Sequence, residues 1–119
     1  MNDEQMGRKF REAWIAGVRE HFPGEPKPGY VATWEEMGDW EKQAAIAVYK
    51  RTAAFINAAG APSDEQGGRY VSEAWNVEMF RRIEKPKPSY TSDWEALPDW
   101  QRKTDVGIFR AIKAALAGS

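Results

Sequence analysis

The amino-acid sequence predicts an all-α domain made of two tandem helix–linker–helix repeats that share one core. Three observations predict it. The segment DEQMGRKFREAW (3–14) returns as DEQGGRYVSEAW (64–75), with Asp, Glu, Gln, Gly, Arg, Glu, Ala and Trp unchanged. PKPGYVATWEEMGDWEK (26–42) returns as PKPSYTSDWEALPDWQR (86–102), so all 6 tryptophans fall into pairs: Trp14 with Trp75, Trp34 with Trp94, Trp40 with Trp100. Apolar residues then recur at helical spacing within each copy. The repeats run over 2–59 and 63–117, and the expected fold has an approximate internal two-fold. A unit of about 60 residues is marginal alone, which predicts a shared interior.

The first helix is marked by Met6, Phe10, Trp14 and Val18, four residues apart, with Phe22 continuing the row. Asn2 can cap it, and Gln5 stands where a capping box needs it. The linker FPGEPKPGY is dense in proline, which fixes φ and disfavours helix at the preceding residue. It is expected to be extended and polyproline-like, and short antiparallel pairing with the second linker is compatible with that.

Thr33 and Glu36 have capping-box spacing before a short turn, and the second helix starts near Gly38. Ile46, Tyr49 and Ile56 mark its apolar face. AAGAPSD then combines a glycine stop, a proline and the next cap, Ser63 with Gln66. The third helix carries Val71, Trp75, Met79 and Ile83 at the same spacing as the first. The second linker, EKPKPSY, repeats the proline pattern. Asp93 can cap the turn after it. The last helix begins near Pro98, which suits a first helical position, and carries Val106, Phe109, Ile112 and Leu116 on one face.

Composition narrows the function. The net charge of −1 argues against a general nucleic-acid binder, which needs an excess of Lys and Arg. There are 0 cysteines, so thiolate catalysis and Cys-ligated zinc are excluded. The polar, charged start of the chain has no leader pattern and no apolar run is long enough to cross a bilayer, which predicts a cytoplasmic protein without membrane partners. His21 is the single histidine and sits at a helix end, where a surface or capping role is the ordinary one. No HExxH, EF-hand or P-loop spacing occurs; Gly67-Gly68-Arg69 falls inside a helix, where a glycine pair means close packing. The expectation is a protein without metal, cofactor or catalytic centre.

The block PKPSYTSDWEALPDWQRKTDVGIFRAI (86–112) resembles the ryanodine-receptor-type repeat domain and its small relatives in bacteriophages and actinobacteria. The resemblance rests on Trp94-Glu95-Ala96-Leu97-Pro98-Asp99, with Lys103 and Asp105 behind it, and loosely on Glu12-Ala13-Trp14 and Glu73-Ala74-Trp75. The histidine usual before the Trp is absent, and the first copy has Gly38 and Ala45 where the motif has Pro and Asp. The resemblance implies two similar halves, a phage or bacterial origin, and binding of a small nucleotide-like ligand rather than catalysis.

The candidate ligand-binding residues are Arg8, Arg69, Tyr30, Tyr90, Trp34 and Trp94. Arg8–Glu12 and Arg69–Glu73 stand at i, i+4 in both copies. They read either as surface ion pairs or as two planar forks for an anion held between the halves. Tyr30, Tyr90, Trp34 and Trp94 stand at linker–helix junctions, where a ring either staples the core or lines a groove for a flat ligand. Trp14, Trp75, Trp40 and Trp100 are expected in the core. Docking on a host protein is the alternative function, and an enzyme of unrecognised type a third.

Overall fold

The computed structural model describes residues 1–88 and 91–118. Four α-helices make up the fold among them: α1 (Asp3–His21), α2 (Asp39–Ala59), α3 (Asp64–Arg82) and α4 (Asp99–Ala117). Helices of 19–21 residues run to about 30 Å, so each crosses the full width of a molecule measuring 34 × 29 × 28 Å. The all-α expectation holds.

The starts of α1 and α3 form for the reason the spacing gave. Asn2 Oδ1 accepts from the Gln5 N–H at 2.9 Å while Gln5 Oε1 accepts from the Asn2 N–H at 2.8 Å. Ser63 and Gln66 make the same reciprocal pair at 3.1 and 2.8 Å. Two otherwise orphaned donors are satisfied at each start. Helix α2 stops at Gly60, whose φ of 81° is one that L side chains rarely adopt; its N–H donates to the Ile56 carbonyl.

Packing runs across the repeats as well as within them. Helix α1 lies against α4 and α2, and α3 against α4 and α2. The core joins Phe10, Ile46, Val48, Val71, Ile108 and Phe109 from all four helices. Close approach depends on small residues: a Cβ on Gly67 would overlap the Phe109 ring, and one on Gly17 would stand 2.6 Å from Thr104 Cγ2. The glycine pair read from the sequence as a packing device is one.

Several expectations are corrected. The first linker is not extended throughout: Pro28–Val31 is a 3-10 turn, and no strand forms among the described residues. The linker carbonyls are satisfied by side chains of α1 instead of a partner strand. Arg11 donates to Ala32 O and Gly29 O, each at 2.9 Å, and Trp14 Nε1 donates to Tyr30 O at 2.9 Å. In the second linker Asn76 Nδ2 donates to Ser92 O at 3.2 Å. Pro98 is the cap residue before α4 rather than its first turn, and Asp93 caps its 3-10 turn (Trp94–Ala96) without a side-chain hydrogen bond.

Trp40 is not in the core; it is 41% exposed. Its counterpart Trp100 packs at 4.9 Å from Phe22, 5.9 Å from Tyr30 and 6.0 Å from Trp14. Trp75, the counterpart of Trp14, instead stacks on Phe10 with centroids 6.1 Å apart, and among the described residues no ring cluster gathers around Trp40. Trp14 and Trp75 are half-buried against the core.

Candidate functional site

The two sequence-selected arginines, Arg8 and Arg69, occupy matching corners. Trp34 opens the 3-10 turn Trp34–Glu36 and Trp94 opens Trp94–Ala96; each indole is 7% exposed. Arg8 lies over Trp34 at 6.0 Å and Arg69 over Trp94 at 5.9 Å. The indoles fit because Gly7 and Gly68 face them: a Cβ on Gly68 would come within 2.8 Å of Trp94, and one on Gly7 would collide with Trp34. These buried rings pack the turns onto the helices.

The arginines are not paired as their spacing suggested. Arg8 meets Glu35 at 2.6 Å and Glu4 at 3.4 Å rather than Glu12, and Arg69 meets Glu95 at 2.6 Å and Glu65 at 3.9 Å rather than Glu73. The turn glutamates lie nearer the guanidinium because the indole beneath aims it toward the turn. The hydrogen bond from Arg8, with the Glu35 backbone, holds the Glu35 carboxyl below its ordinary pKa, and Arg69 acts likewise on Glu95. Each corner therefore sets its arginine between two glutamates, with a second cation close by: Lys42, 5.5 Å over Trp34 and acting on Glu35, in the first, and Arg102, acting on Glu95, in the second.

Tyr30 belongs to neither corner. It sits in an aromatic cluster with Phe22 at 5.8 Å, Trp100 at 5.9 Å and Trp14 at 6.3 Å. Tyr90 lies outside the described residues.

One sequence-selected residue does line a concavity. A groove of about 550 Å³ opens at the α2–α3 turn, with Arg69, Tyr70, Phe55 and Gln66 among its walls. Phe55 and Tyr70 stack at 4.3 Å, 7° from parallel, and both are half-buried. Glu73 is in the same wall. The groove thus offers a flat aromatic edge, an amide and charges of both signs. Sequence reading missed Tyr70 because its counterpart in the first repeat is Lys9, so the duplication gave it no emphasis.

Three further groups were not selected as site residues from the sequence. Arg11, 8% exposed, ties the first linker to α1; burial lowers its pKa, with Glu41 and Glu36 acting the other way. Asp105, 6% exposed, has its pKa raised well above the ordinary value by burial alone. Glu78 is fully buried and meets Arg51 at 2.9 Å, Arg82 at 2.9 Å and Arg81 at 3.1 Å. The signal for Glu78 was its place at i−3 and i−4 from two arginines; Arg51 comes from another helix and no spacing could reveal it.

No group of His, Asp or Glu among the described residues is arranged to hold a metal, and no helix there is long and apolar enough to cross a membrane. No protein-family model, curated protein or solved structure matches the chain.

Proposed function

We propose that the protein is a non-catalytic binding module whose ligand is small, anionic and partly flat, nucleotide-like in chemistry, seated in the Arg69–Tyr70 groove. The observation that carries the reading is the groove itself: a sequence-selected arginine, 41% exposed at its side chain, beside a stacked aromatic pair. Aromatic edges give area and stacking at low entropic cost, and a guanidinium fork suits phosphate or carboxylate. The sequence resemblance to ryanodine-receptor-type repeats, with the phage or bacterial origin it implies, favours the same reading. The proposed site lies at the α2–α3 seam, where the first half meets the second, and neither Trp34 nor Trp94 is among the residues that line it.

The test is thermal unfolding and intrinsic fluorescence against a panel of nucleotides. The expected result is a raised Tm and quenched emission with at least one member, lost in Tyr70→Ala. A flat response across the panel overturns the reading.

Docking of a host protein is a second reading with its own observation. Phe80 is 64% exposed and Val77 42% exposed on the outer face of α3, one helical turn apart. Phe80→Ser abolishing a protein interaction without lowering Tm would favour it over the groove.

A further inference from the structure

Glu78 is the least exposed acid among the described residues, at 0% exposure, and it is covered by cations. Arg51 reaches it from α2 through Nε, Arg82 through Nε and Arg81 through one terminal nitrogen. Three guanidiniums around one carboxylate leave two positive charges. The carbonyl end of α3 offsets only about half a charge of that.

The donors left over are fixed in place. Arg51 and Arg82 spend only their Nε–H on Glu78, so among the described residues both terminal nitrogens of each remain for another acceptor, as does the second terminal nitrogen of Arg81. The side chains are 38%, 27% and 60% exposed, so the guanidiniums sit at the surface while their shared acceptor does not. A buried carboxylate binding three forks removes much of the rotamer entropy that a free arginine loses on meeting an anion. The remaining N–H groups suit the several oxygens of a tetrahedral oxyanion better than a single carboxylate.

We propose that Arg51, Arg81 and Arg82, oriented by Glu78, form a phosphate-binding site for a small phosphorylated ligand or free phosphate. The site does not depend on occupancy of the Arg69–Tyr70 groove, since phosphate alone is enough to fill it.

The experiment titrates ¹⁵N-labelled full-length protein with sodium phosphate, and separately with ribose 5-phosphate, against sodium chloride at matched ionic strength. The arginine Nε–H resonances and Tm are followed. Saturable shifts of the Arg51 and Arg82 signals and a rise in Tm are expected with both phosphates and not with chloride. Tighter binding of the ester assigns the site to a phosphorylated small molecule; equal binding assigns it to the free oxyanion. Arg82→Gln is expected to weaken binding about tenfold or more, the worth of a charge-assisted fork. Arg81→Gln, at a more exposed position, gives the same direction if Arg82→Gln does not fold. Shifts that follow ionic strength alike in chloride and phosphate overturn the proposal, as does an undiminished phosphate response in a folded variant. So does binding of an RNA oligomer without any response to phosphate.

Discussion

Glycine positions show how finely single residues set the packing. Gly67 faces Phe109 with no room for a Cβ, whereas nothing stands within 4 Å of a Cβ at Gly107 in the middle of α4. Gly67→Ala is therefore expected to cost about 1–3 kcal/mol through overpacking. Gly107→Ala is expected to gain about 0.5–1 kcal/mol by restricting the unfolded chain and favouring helix. Denaturant unfolding of the two variants checks both signs, and equal effects would mean the α3–α4 contact is misread.

Asp105 gives a pH-dependent prediction at the same scale. Burial raises its folded-state pKa, so the folded chain holds this proton more tightly than the unfolded chain does. Its contribution favours folding below the ordinary aspartate range and is lost as pH rises through the folded pKa. At neutral pH Asp105→Asn should raise Tm by about 3–6 °C and flatten the decline of stability with pH. A variant less stable than the parent at pH 7 would show that the carboxylate has a partner. Neither effect was legible in the sequence. The Asp105 counterpart is Ala45, and only the fold reveals that α4 buries the position where α2 carries a methyl group.

Among the elements, the helices were legible and the linkers were not. Helix starts are decided locally by Asn2–Gln5 and Ser63–Gln66, within one turn of chain, so spacing suffices. The conformation of the first linker is decided by Arg11 and Trp14, which lie 16–21 residues away from the carbonyls they bind. The same limit hid the tie between α2 and α3 through Arg51 and Glu78. Burial pushes the Glu78 carboxyl up, but the hydrogen bonds from Arg51 and Arg82 and the charges of Arg82 and Arg81 outweigh it and hold the pKa below the ordinary value. Stability from this group is present above the ordinary glutamate range and lost as pH falls through the folded pKa. Glu78→Ala is expected to cost about 1.5–3 kcal/mol at neutral pH, the scale for hydrogen bonds to a charged group, and to reduce the acid sensitivity of folding. Chemical denaturation at pH 7 and at pH 3 checks it: the gap between parent and variant should narrow at the lower pH.

At the scale of the whole molecule, some of the residues that recur in the sequence have matching surroundings and others do not. The Arg8–Trp34–Glu35 and Arg69–Trp94–Glu95 corners match to about a tenth of an ångström in their principal contacts. Trp14 and Trp75, and Trp40 and Trp100, have different neighbours. What both copies keep is what closes a turn onto a helix; what differs is where Arg11 stands against Ser72 and Phe22 against Ile83. The helices do not respect the boundary between copies. Helix α1 has its widest contact with α4 and α3 also packs on α2, so each repeat leaves much of its apolar surface to be covered by the other. A half of about 60 residues buries too little alone to offset its chain entropy. Fragments 1–61 and 62–119 are therefore expected to show weak helical circular dichroism separately and to regain the helix content of the intact chain when mixed, with a midpoint that rises with concentration. A cooperative unfolding transition in either isolated fragment would show that the interior is divided rather than shared.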